Sequence, residues 1–238
     1  MLNREKHRLI MGRIVEDIYR DIAIAPQLGF KGGTAAYLFY GLPRFSVDLD
    51  FDLLEIENQE LNQMILAEIT KIIERYGQVR ESRIKRFTIF SLLSYGRDDH
   101  NIKVEINTRK FFSDIKNRYE FKENLGIPML IAKPDYMFAT KLAALTDRKN
   151  MAMRDVFDIH YFVKNNWDID KEALLAQTGK NVKDQCLNCI AVIEKIKDSQ
   201  ILQGLGELLD EKQKDWVRSS LRQETISLLK NYAASMNS

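Results

Sequence analysis

Cysteine is scarce in this chain of 238 residues, which contains only Cys186 and Cys189. They form a single Cys-x-x-Cys pair with no second pair of ligands and no histidine nearby, whereas a zinc site needs about four ligands. We therefore interpret them as two small packing residues in a helical stretch. So few cysteines also fit a protein of a reducing compartment.

Long apolar runs are lacking as well. No stretch approaches the ~18 residues of a transmembrane helix, and residues 1–23 are charged throughout, unlike the apolar core of a signal peptide. We therefore expect a soluble, cytoplasmic protein with no membrane partner. The net charge is only +2, so the overall charge gives no sign that the protein binds nucleic acid. A local basic surface is still an alternative, because a net charge does not show how charges are distributed.

Glycine and proline are absent between residues 135 and 178, where the apolar spacing is helical, as it is onward to the end of the chain. The first half alternates helical and strand patterns instead. They predict helices at 3–24, 35–40 and 58–76, and strands at 28–30, 46–54, 86–95 and 101–108. We therefore expect an α+β fold, with a mixed sheet flanked by helices in residues 1–130 and an all-helical domain in residues 131–238.

Residues 46–54 alternate apolar and polar side chains, which predicts a strand with two unlike faces. Val47, Leu49, Phe51 and Leu53 would face the core. The carboxylates of Asp48, Asp50 and Asp52 would line the other face, with neighbours about 6–7 Å apart. Like charges on one face repel, and a divalent cation removes that cost. Mg²⁺ is usually held by one or two carboxylates together with substrate phosphates, so this strand indicates a Mg²⁺ or Mn²⁺ site.

A third carboxylate comes from the stretch NIKVEINTR, residues 101–109. Glu105 alternates with apolar residues there and would project from the polar face of a strand able to pair beside 46–54. An ordinary solvent-facing glutamate is the alternative interpretation, and the spacing alone leaves both open.

The pair Gly32 and Gly33 lies between a predicted strand and a predicted helix. Glycines there let the backbone approach a ligand closely, and the first N–H groups of the helix suit a phosphate. Thr34 would cap the helix or offer its hydroxyl to a phosphate. A simple tight turn remains the alternative for the glycines taken alone.

Two motifs carry a family resemblance. The segment KGGTAAYLFYGLPRFSVDLDFDL resembles the first motif of the nucleotidyltransferase superfamily, and its Arg44-x-Ser46-x-Asp48-x-Asp50 pattern resembles the AbiEii/AbiGii toxin family of bacterial nucleotidyltransferases. A second segment, KLAALTDRKNMAMRDVFDIHYF (141–162), resembles that family's Lys-Leu-x-Ala-Leu-x-x-Arg followed by Arg-Asp-x-x-Asp. Together the motifs span about half of the chain in the expected order.

The resemblance implies a nucleotidyltransferase-like sheet followed by a helical C-terminal domain, which we expect to pack across the active-site cleft. It implies that Asp48 and Asp50 hold metal, with Glu105 as the candidate third ligand. It further implies that Gly32, Gly33 and Thr34 lie near the triphosphate and that Lys141 binds phosphate. Arg44 and Ser46 belong to the same motif and are candidate substrate-binding residues, although Ser46 has the alternative of orienting Asp48 or capping the turn.

The second motif also has a physical interpretation of its own. Lys141 and Arg148 are seven residues apart, so they share a helix face and could neutralise a triphosphate, or simply form a solvated basic face. Asp155 and Asp158 match the acidic motif and are one turn apart. Arg154, a candidate substrate-binding residue, could instead pair with Asp158 as a brace between helices.

These residues support two hypotheses. The first is a metal-dependent transferase that moves a nucleotide from an NTP to an acceptor hydroxyl, with Asp48, Asp50, Glu105, Lys141, Asp155 and Asp158 as catalytic candidates. The resemblance implies the toxin of a toxin–antitoxin pair, with the tRNA 3′ end as acceptor and a winged-helix antitoxin or regulator encoded nearby. The second is a nucleotide- or RNA-binding module without turnover, or a scaffold for the antitoxin, which would not need the three carboxylates together.

Overall fold

The structure is a computed structural model that describes residues 3–96, 101–109, 112, 114–148 and 152–235. The chain divides into two compact units, Met1–Ala132 and Lys133–Ser238. No helix within the described ranges is long and apolar enough to cross a membrane.

The first unit is built on a seven-stranded mixed sheet with the strand order β3-β4-β5-β2-β1-β7-β6. Strand β2 runs parallel to β5, and β1 runs parallel to β7, whereas the other neighbouring pairs are antiparallel. The strands are β1 Leu28–Lys31, β2 Asp48–Leu53, β3 Gln78–Lys85, β4 Thr88–Ser94, β5 Ile102–Asn107, β6 Tyr119–Asn124 and β7 Ile127–Ala132.

Three helices accompany this sheet: α1 Arg4–Arg20, α2 Gly32–Phe39 and α3 Gln59–Glu74. Helix α1 packs against α3 and β7, and α3 packs against β3 and β4. Their apolar stripes bury Ile14, Ile18, Ile65 and Ile69 almost completely, as the helical periodicity of the sequence requires. On the sheet, neighbouring strands supply Phe30, Phe51, Ile106 and Ile89 to the buried face.

The mixed sheet with flanking helices confirms the predicted fold class, but three strands were missed. Strand β3 is a half-exposed edge strand with four charged residues, β6 is another edge strand that alternates weakly, and β7 is an almost continuous apolar run. None shows the clean period-two pattern of a strand with one buried face. The predicted strand 86–95 is also corrected, because β4 begins at Thr88.

The second unit is helical, as expected. Its helices are α4 Pro134–Asp147, α5 Met153–Lys164, α6 Lys171–Thr178, α7 Val182–Glu194, α8 Glu211–Trp216 and α9 Arg222–Ser235. Pro134 occupies the first turn of α4, where its missing N–H costs nothing. Cys186 and Cys189 are fully buried in α7, and burial raises the pKa of Cys186 to about 12, so both act as inert packing residues.

Candidate active site

The strand register aligns a row of side chains across the polar face of the sheet. Asp50 of β2 lies opposite Glu105 of β5 and Lys31 of β1, while Glu105 lies opposite Phe90 of β4, which faces Arg83 of β3. Directly opposed residues share a sheet face. Two of the three predicted metal ligands are therefore cross-strand neighbours. Asp48 is two residues from Asp50 on the same strand and face.

The structure places a lysine among these carboxylates. Lys103 lies opposite Asp48 in the register, and its Nζ is 3.2 Å from Asp48 Oδ2 and 3.2 Å from Glu105 Oε2. Burial by itself would lower the pKa of Lys103, but the charges of Asp48, Glu105 and Asp50 outweigh it and raise the pKa above its ordinary value. Lys103 was not a predicted site residue, although its position two residues before Glu105 could have shown that they share a face.

Asp52 belongs to a different environment from Asp48 and Asp50. It is fully buried, and its carboxylate accepts hydrogen bonds from Lys31 Nζ at 2.5 Å, Asn107 Nδ2 at 2.8 Å and the Tyr119 hydroxyl at 2.7 Å. Burial would raise the pKa of Asp52, but Lys31 and the two hydrogen bonds hold it below its ordinary value. The three carboxylates do not form one equivalent row, because Asp52 is a buried structural anion.

The two glycines of the turn leave room for side chains of the protein itself. Gly32 has φ +79°, and a Cβ added there would lie 2.5 Å from Asp50 Oδ2. A Cβ added at Gly33 would lie 2.5 Å from Arg44 Nη2 and 3.0 Å from Ser46 Oγ. Glycine is therefore required at Gly32, where the positive φ and the Asp50 carboxylate both disfavour a side chain. At Gly33 a side chain would displace the Arg44 guanidinium.

Thr34, Ser46 and Arg44 are buried beneath this turn. The Thr34 hydroxyl hydrogen-bonds with Ser46 Oγ at 2.9 Å and donates to the Asp48 carbonyl, so it joins α2 to the start of β2. Arg44 is 2% exposed and donates from Nη1 to the Phe45 carbonyl at 3.0 Å. The predicted capping role of Thr34 is wrong, because α2 begins at Gly32 with Lys31 as its N-cap.

A buried histidine of α1 holds the backbone at the start of strand β2. His7 of α1 is fully buried, with Nε2 donating to the Val47 carbonyl at 3.1 Å and Nδ1 at 2.5 Å from the Tyr95 hydroxyl. It thereby fixes the backbone immediately before Asp48. Sequence reasoning assigned His7 no role, and no local pattern signals a contact between residues 40 positions apart.

In the helical unit, the charged residues of the second motif form a buried cluster. Lys141 Nζ lies 2.8 Å from Asp155 Oδ1 and 2.9 Å from Asp158 Oδ2, and both carboxylates are fully buried. Arg148 follows the end of α4 and its Nη1 lies 3.3 Å from Asp155 Oδ2. Lys141 therefore joins α4 to α5, the bracing role that the sequence had offered to Arg154. Arg154 itself lies in the first turn of α5.

The carboxylates of β2 and β5 suit a hard divalent cation. Within the described residues, no three His, Cys, Asp or Glu side chains converge as a metal-binding group. Instead, the Lys103 ammonium lies between Asp48 and Glu105 as a stand-in cation, next to Asp50. Oxygen donors with excess negative charge are the ligands that Mg²⁺ and Mn²⁺ prefer, so the donor set fits such an ion.

Comparison with solved structures identifies the class of fold. A putative nucleotidyltransferase from H. pylori has a TM-score of 0.55 and 21% identity, over 95% of this chain and 96% of that one. JHP933 from Helicobacter pylori has a TM-score of 0.56 and 21% identity, over 100% and 98%. An antigenic nucleotidyltransferase-like protein from Paracoccidioides brasiliensis has a TM-score of 0.52 and 11% identity, over 97% and 94%. The fold is nucleotidyltransferase-like.

The family follows from the sequence profile described as "Nucleotidyl transferase AbiEii toxin, Type IV TA system", which matches residues 13–230. The chain belongs to this AbiEii nucleotidyl transferase toxin family. No curated protein matches it. Membership in a toxin–antitoxin family implies an antitoxin partner and a nucleotide substrate.

Proposed function

We propose that this toxin is a metal-dependent nucleotidyltransferase that moves a nucleotide from an NTP to an acceptor hydroxyl, with the 3′ end of tRNA as the acceptor. The observation that carries the proposal is the grouping of Asp48, Asp50 and Glu105 on one face of the sheet, around the Lys103 ammonium and against the Gly32 turn. Carboxylates grouped in this way repel one another, and this repulsion costs free energy unless a cation binds between them.

Asp48, Asp50 and Glu105 would hold Mg²⁺ or Mn²⁺ once the Lys103 ammonium moves aside. The bound ion would supply positive charge to polarise the phosphate and the attacking hydroxyl. The carboxylates would also fix the orientation of that hydroxyl toward the α-phosphorus. The hydroxyl would lose its proton and form an ester bond there, while the bond to the β-phosphate breaks and pyrophosphate leaves. Positioning and charge neutralisation carry most of the rate in phosphoryl-type transfer, because the protein has little covalent chemistry to perform.

The N-terminus of α2 is the proposed phosphate-binding element. Its N-cap residue Lys31 makes no side-chain hydrogen bond to the first turn, so the N–H groups at Gly32 and Gly33 suit phosphate oxygens, reinforced by the helix dipole. Thr34, Ser46 and Arg44 would contribute by keeping this turn in place beneath the nucleotide. Their direct contact with substrate stays a prediction.

The helical domain would supply cations for the triphosphate. We propose that Lys141, Arg148 and Arg154 reach the phosphates when the helical domain covers the cleft. Asp155 and Asp158 would hold Lys141 in the correct orientation, because they already bind its ammonium. A triphosphate has more negative charge than a single divalent ion offsets, so additional cations would stabilise it.

The cellular setting of the proposal is the bacterial cytoplasm, where NTP and tRNA are both present. The antitoxin partner is expected to be a winged-helix protein or regulator encoded nearby.

The test is incubation of the protein with each labelled NTP, Mg²⁺ and total tRNA, in parallel with the Asp48→Asn and Glu105→Gln variants. We expect labelled tRNA from the wild type and none from Asp48→Asn, with the same circular dichroism spectrum for both. The matched control is Glu123→Gln, which changes an exposed carboxylate on the edge strand β6 and should transfer normally. Wild-type rates in Asp48→Asn would refute the site, and binding without transfer by the wild type would favour the non-catalytic module.

A further inference from the structure

The surface beyond the carboxylates is basic and aromatic at the turn between β3 and β4. Lys85, Arg86, Phe87 and Arg109 form this surface, which we call the β3–β4 patch. Lys85, the last residue of β3, lies opposite Thr88 in the register, and Thr88 lies opposite Asn107, two residues before Arg109. The Thr108 N–H donates to the Phe87 carbonyl at 3.1 Å, so the strand pairing continues to the patch.

The aromatic ring of Phe87 lies close to two guanidinium groups. The Cζ atoms of Arg86 and Arg109 are 5.0 Å and 5.2 Å from the ring centroid, within the range of a cation–π contact. Phe87 remains 38% exposed. An aromatic ring that is partly exposed and flanked by two guanidinium groups offers a stacking surface next to positive charge, which is the combination that single-stranded nucleic acids bind.

Positive charge extends from the patch toward the carboxylates. Lys85 Nζ lies 3.4 Å from the centroid of the Phe90 ring, and Phe90 is the cross-strand neighbour of Glu105. Arg83, opposite Phe90, is already ion-paired with Glu81 at 2.5 Å. Lys85, Arg86 and Arg109 supply positive charge near Phe87, and no ion pair with a carboxylate is seen for them among the described residues.

The patch lies within reach of the proposed reaction centre along a single strand. Arg109 follows Glu105 by four residues, which corresponds to about 13 Å of extended chain. A few nucleotides of an extended strand span this distance. Lys85 lies opposite Thr88 and Thr88 opposite Asn107, so Lys85 shares the sheet face of Glu105. A chain of phosphates paired with Lys85 and Arg109 would therefore end beside Glu105, Asp50 and Asp48.

We propose that the β3–β4 patch binds the single-stranded 3′ segment of an RNA acceptor, with one base stacked on Phe87 and phosphates paired with Arg86, Arg109 and Lys85. Single-stranded nucleic acids are bound by this combination of aromatic faces and cations, without base-specific hydrogen bonds. The placement of the RNA end rests on the proposed function, but binding to the patch does not depend on turnover.

Fluorescence anisotropy with a labelled single-stranded RNA that has a free 3′ hydroxyl, without NTP, tests binding directly. We expect Phe87→Ala to weaken binding about tenfold, the scale of losing one stacked base, and Phe87→Trp to restore it. In the Arg86→Gln/Arg109→Gln double variant, the slope of log K against log of the salt concentration should become smaller in magnitude by about 1.4. Each phosphate contact to a single strand contributes about 0.7 to this slope.

In each control, a residue of the same type is replaced far from the patch. Phe121→Ala removes a 74% exposed ring on β6, the opposite edge strand of the sheet, and Arg75→Gln removes an exposed guanidinium that follows α3. Both should bind RNA like the wild type. Melting temperatures verify that all variants are folded.

Binding by Phe87→Ala and by the double variant within twofold of wild type, with an unchanged salt slope, would overturn the inference. Equal loss of polyglutamate and RNA binding in the patch variants would overturn it too, because the patch would then be a general polyanion surface. Transfer to tRNA with an unchanged KM in the patch variants would refute the patch and leave the proposed function standing. Loss of RNA binding in the variants of a protein that transfers nothing would support the patch and refute the proposed function.

Discussion

Two lysines on the polar face of the sheet neutralise carboxylates in different surroundings. Replacing each lysine by methionine tests which of the two groups is a structural ion pair and which is a metal site. Lys31 pairs with the fully buried Asp52, whereas Lys103 lies between Asp48 and Glu105, which are 17% and 35% exposed. Methionine keeps most of the apolar length of the side chain and removes the ammonium group, with its charge and its hydrogen-bond donors. The two variants should therefore lose different amounts of stability, and only one should be rescued by Mg²⁺.

Lys31→Met leaves a buried carboxylate without its cation. Breaking a buried ion pair from one side costs about 3–5 kcal/mol. Asn107 and Tyr119 still donate to Asp52, so we expect a loss near the lower end, about 3 kcal/mol. Mg²⁺ should not restore it, because Asp52 is enclosed by side chains and has no exposed surface.

Lys103→Met leaves carboxylates that water still reaches. Partly exposed pairs contribute up to about 1 kcal/mol each after screening, so we expect a loss of about 1–2 kcal/mol without metal. Removing the stand-in ammonium also clears the position between the ligands. Mg²⁺ should then bind more tightly than in the wild type, and at a hundred times its dissociation constant it would stabilise the variant by about 2.7 kcal/mol.

The assay is urea unfolding followed by far-UV circular dichroism, in EDTA and in MgCl₂, with hydrogen exchange of peptides covering β2 and β5. Exchange reports on the first unit directly, which matters because a chain with two compact units need not unfold in one step. A Lys103→Met protein that Mg²⁺ neither stabilises nor protects from exchange would refute the metal site. A Lys31→Met protein as stable as the wild type would refute the structural role of the Asp52 pair.

The pH dependence of folding stability gives an independent test of the Asp52 ion pair. In the wild type the pKa of Asp52 is held below its ordinary value, so its contribution to stability is present above the unfolded pKa and is lost as pH falls through the folded pKa. Without Lys31, burial dominates and raises the pKa of Asp52. The stability deficit of Lys31→Met relative to the wild type should then be smallest in acid. It should grow as the pH rises from the lowered folded pKa of the wild type to the raised folded pKa of the variant, because the unfolded pKa is common to both proteins.

Two further substitutions test the second motif and the glycine turn. Lys141→Ala should destabilise the protein by about 3 kcal/mol in urea, because Asp155 and Asp158 are buried and lose their shared ammonium; an unchanged unfolding midpoint would argue against the brace. Gly32→Ala should lower the melting temperature more than Gly126→Ala and weaken Mg²⁺ binding. Both glycines have φ near +79°, but a Cβ meets Asp50 at Gly32 and open space at Gly126. Equal decreases in melting temperature for the two glycine variants would exclude a clash with Asp50.

The local patterns of the sequence determined the parts of this protein that fold by periodicity. Alternation over residues 46–54 and 101–108 marked β2 and β5 and placed Asp48 and Asp50 on one face of β2, because alternate strand residues share a face. That Glu105 lies on the same face as Asp50 was decided by the pairing of β2 with β5. Helical spacing marked α1 and α3, and the lack of glycine and proline between residues 135 and 178 marked the start of a helical unit. The motifs containing Asp48, Asp50 and Lys141 were sufficient to predict the family.

Tertiary structure alone decided what each charged side chain does. Asp52 has the same spacing as Asp48 and Asp50, yet Lys31, Asn107 and Tyr119 enclose it, and these partners come from three other strands. His7 reaches Val47 across 40 residues, and Gly32 is required because Asp50 lies against it. A sequence pattern fixes the direction of a side chain relative to its own backbone. Its burial, partners and pKa depend on segments that are brought together only by folding.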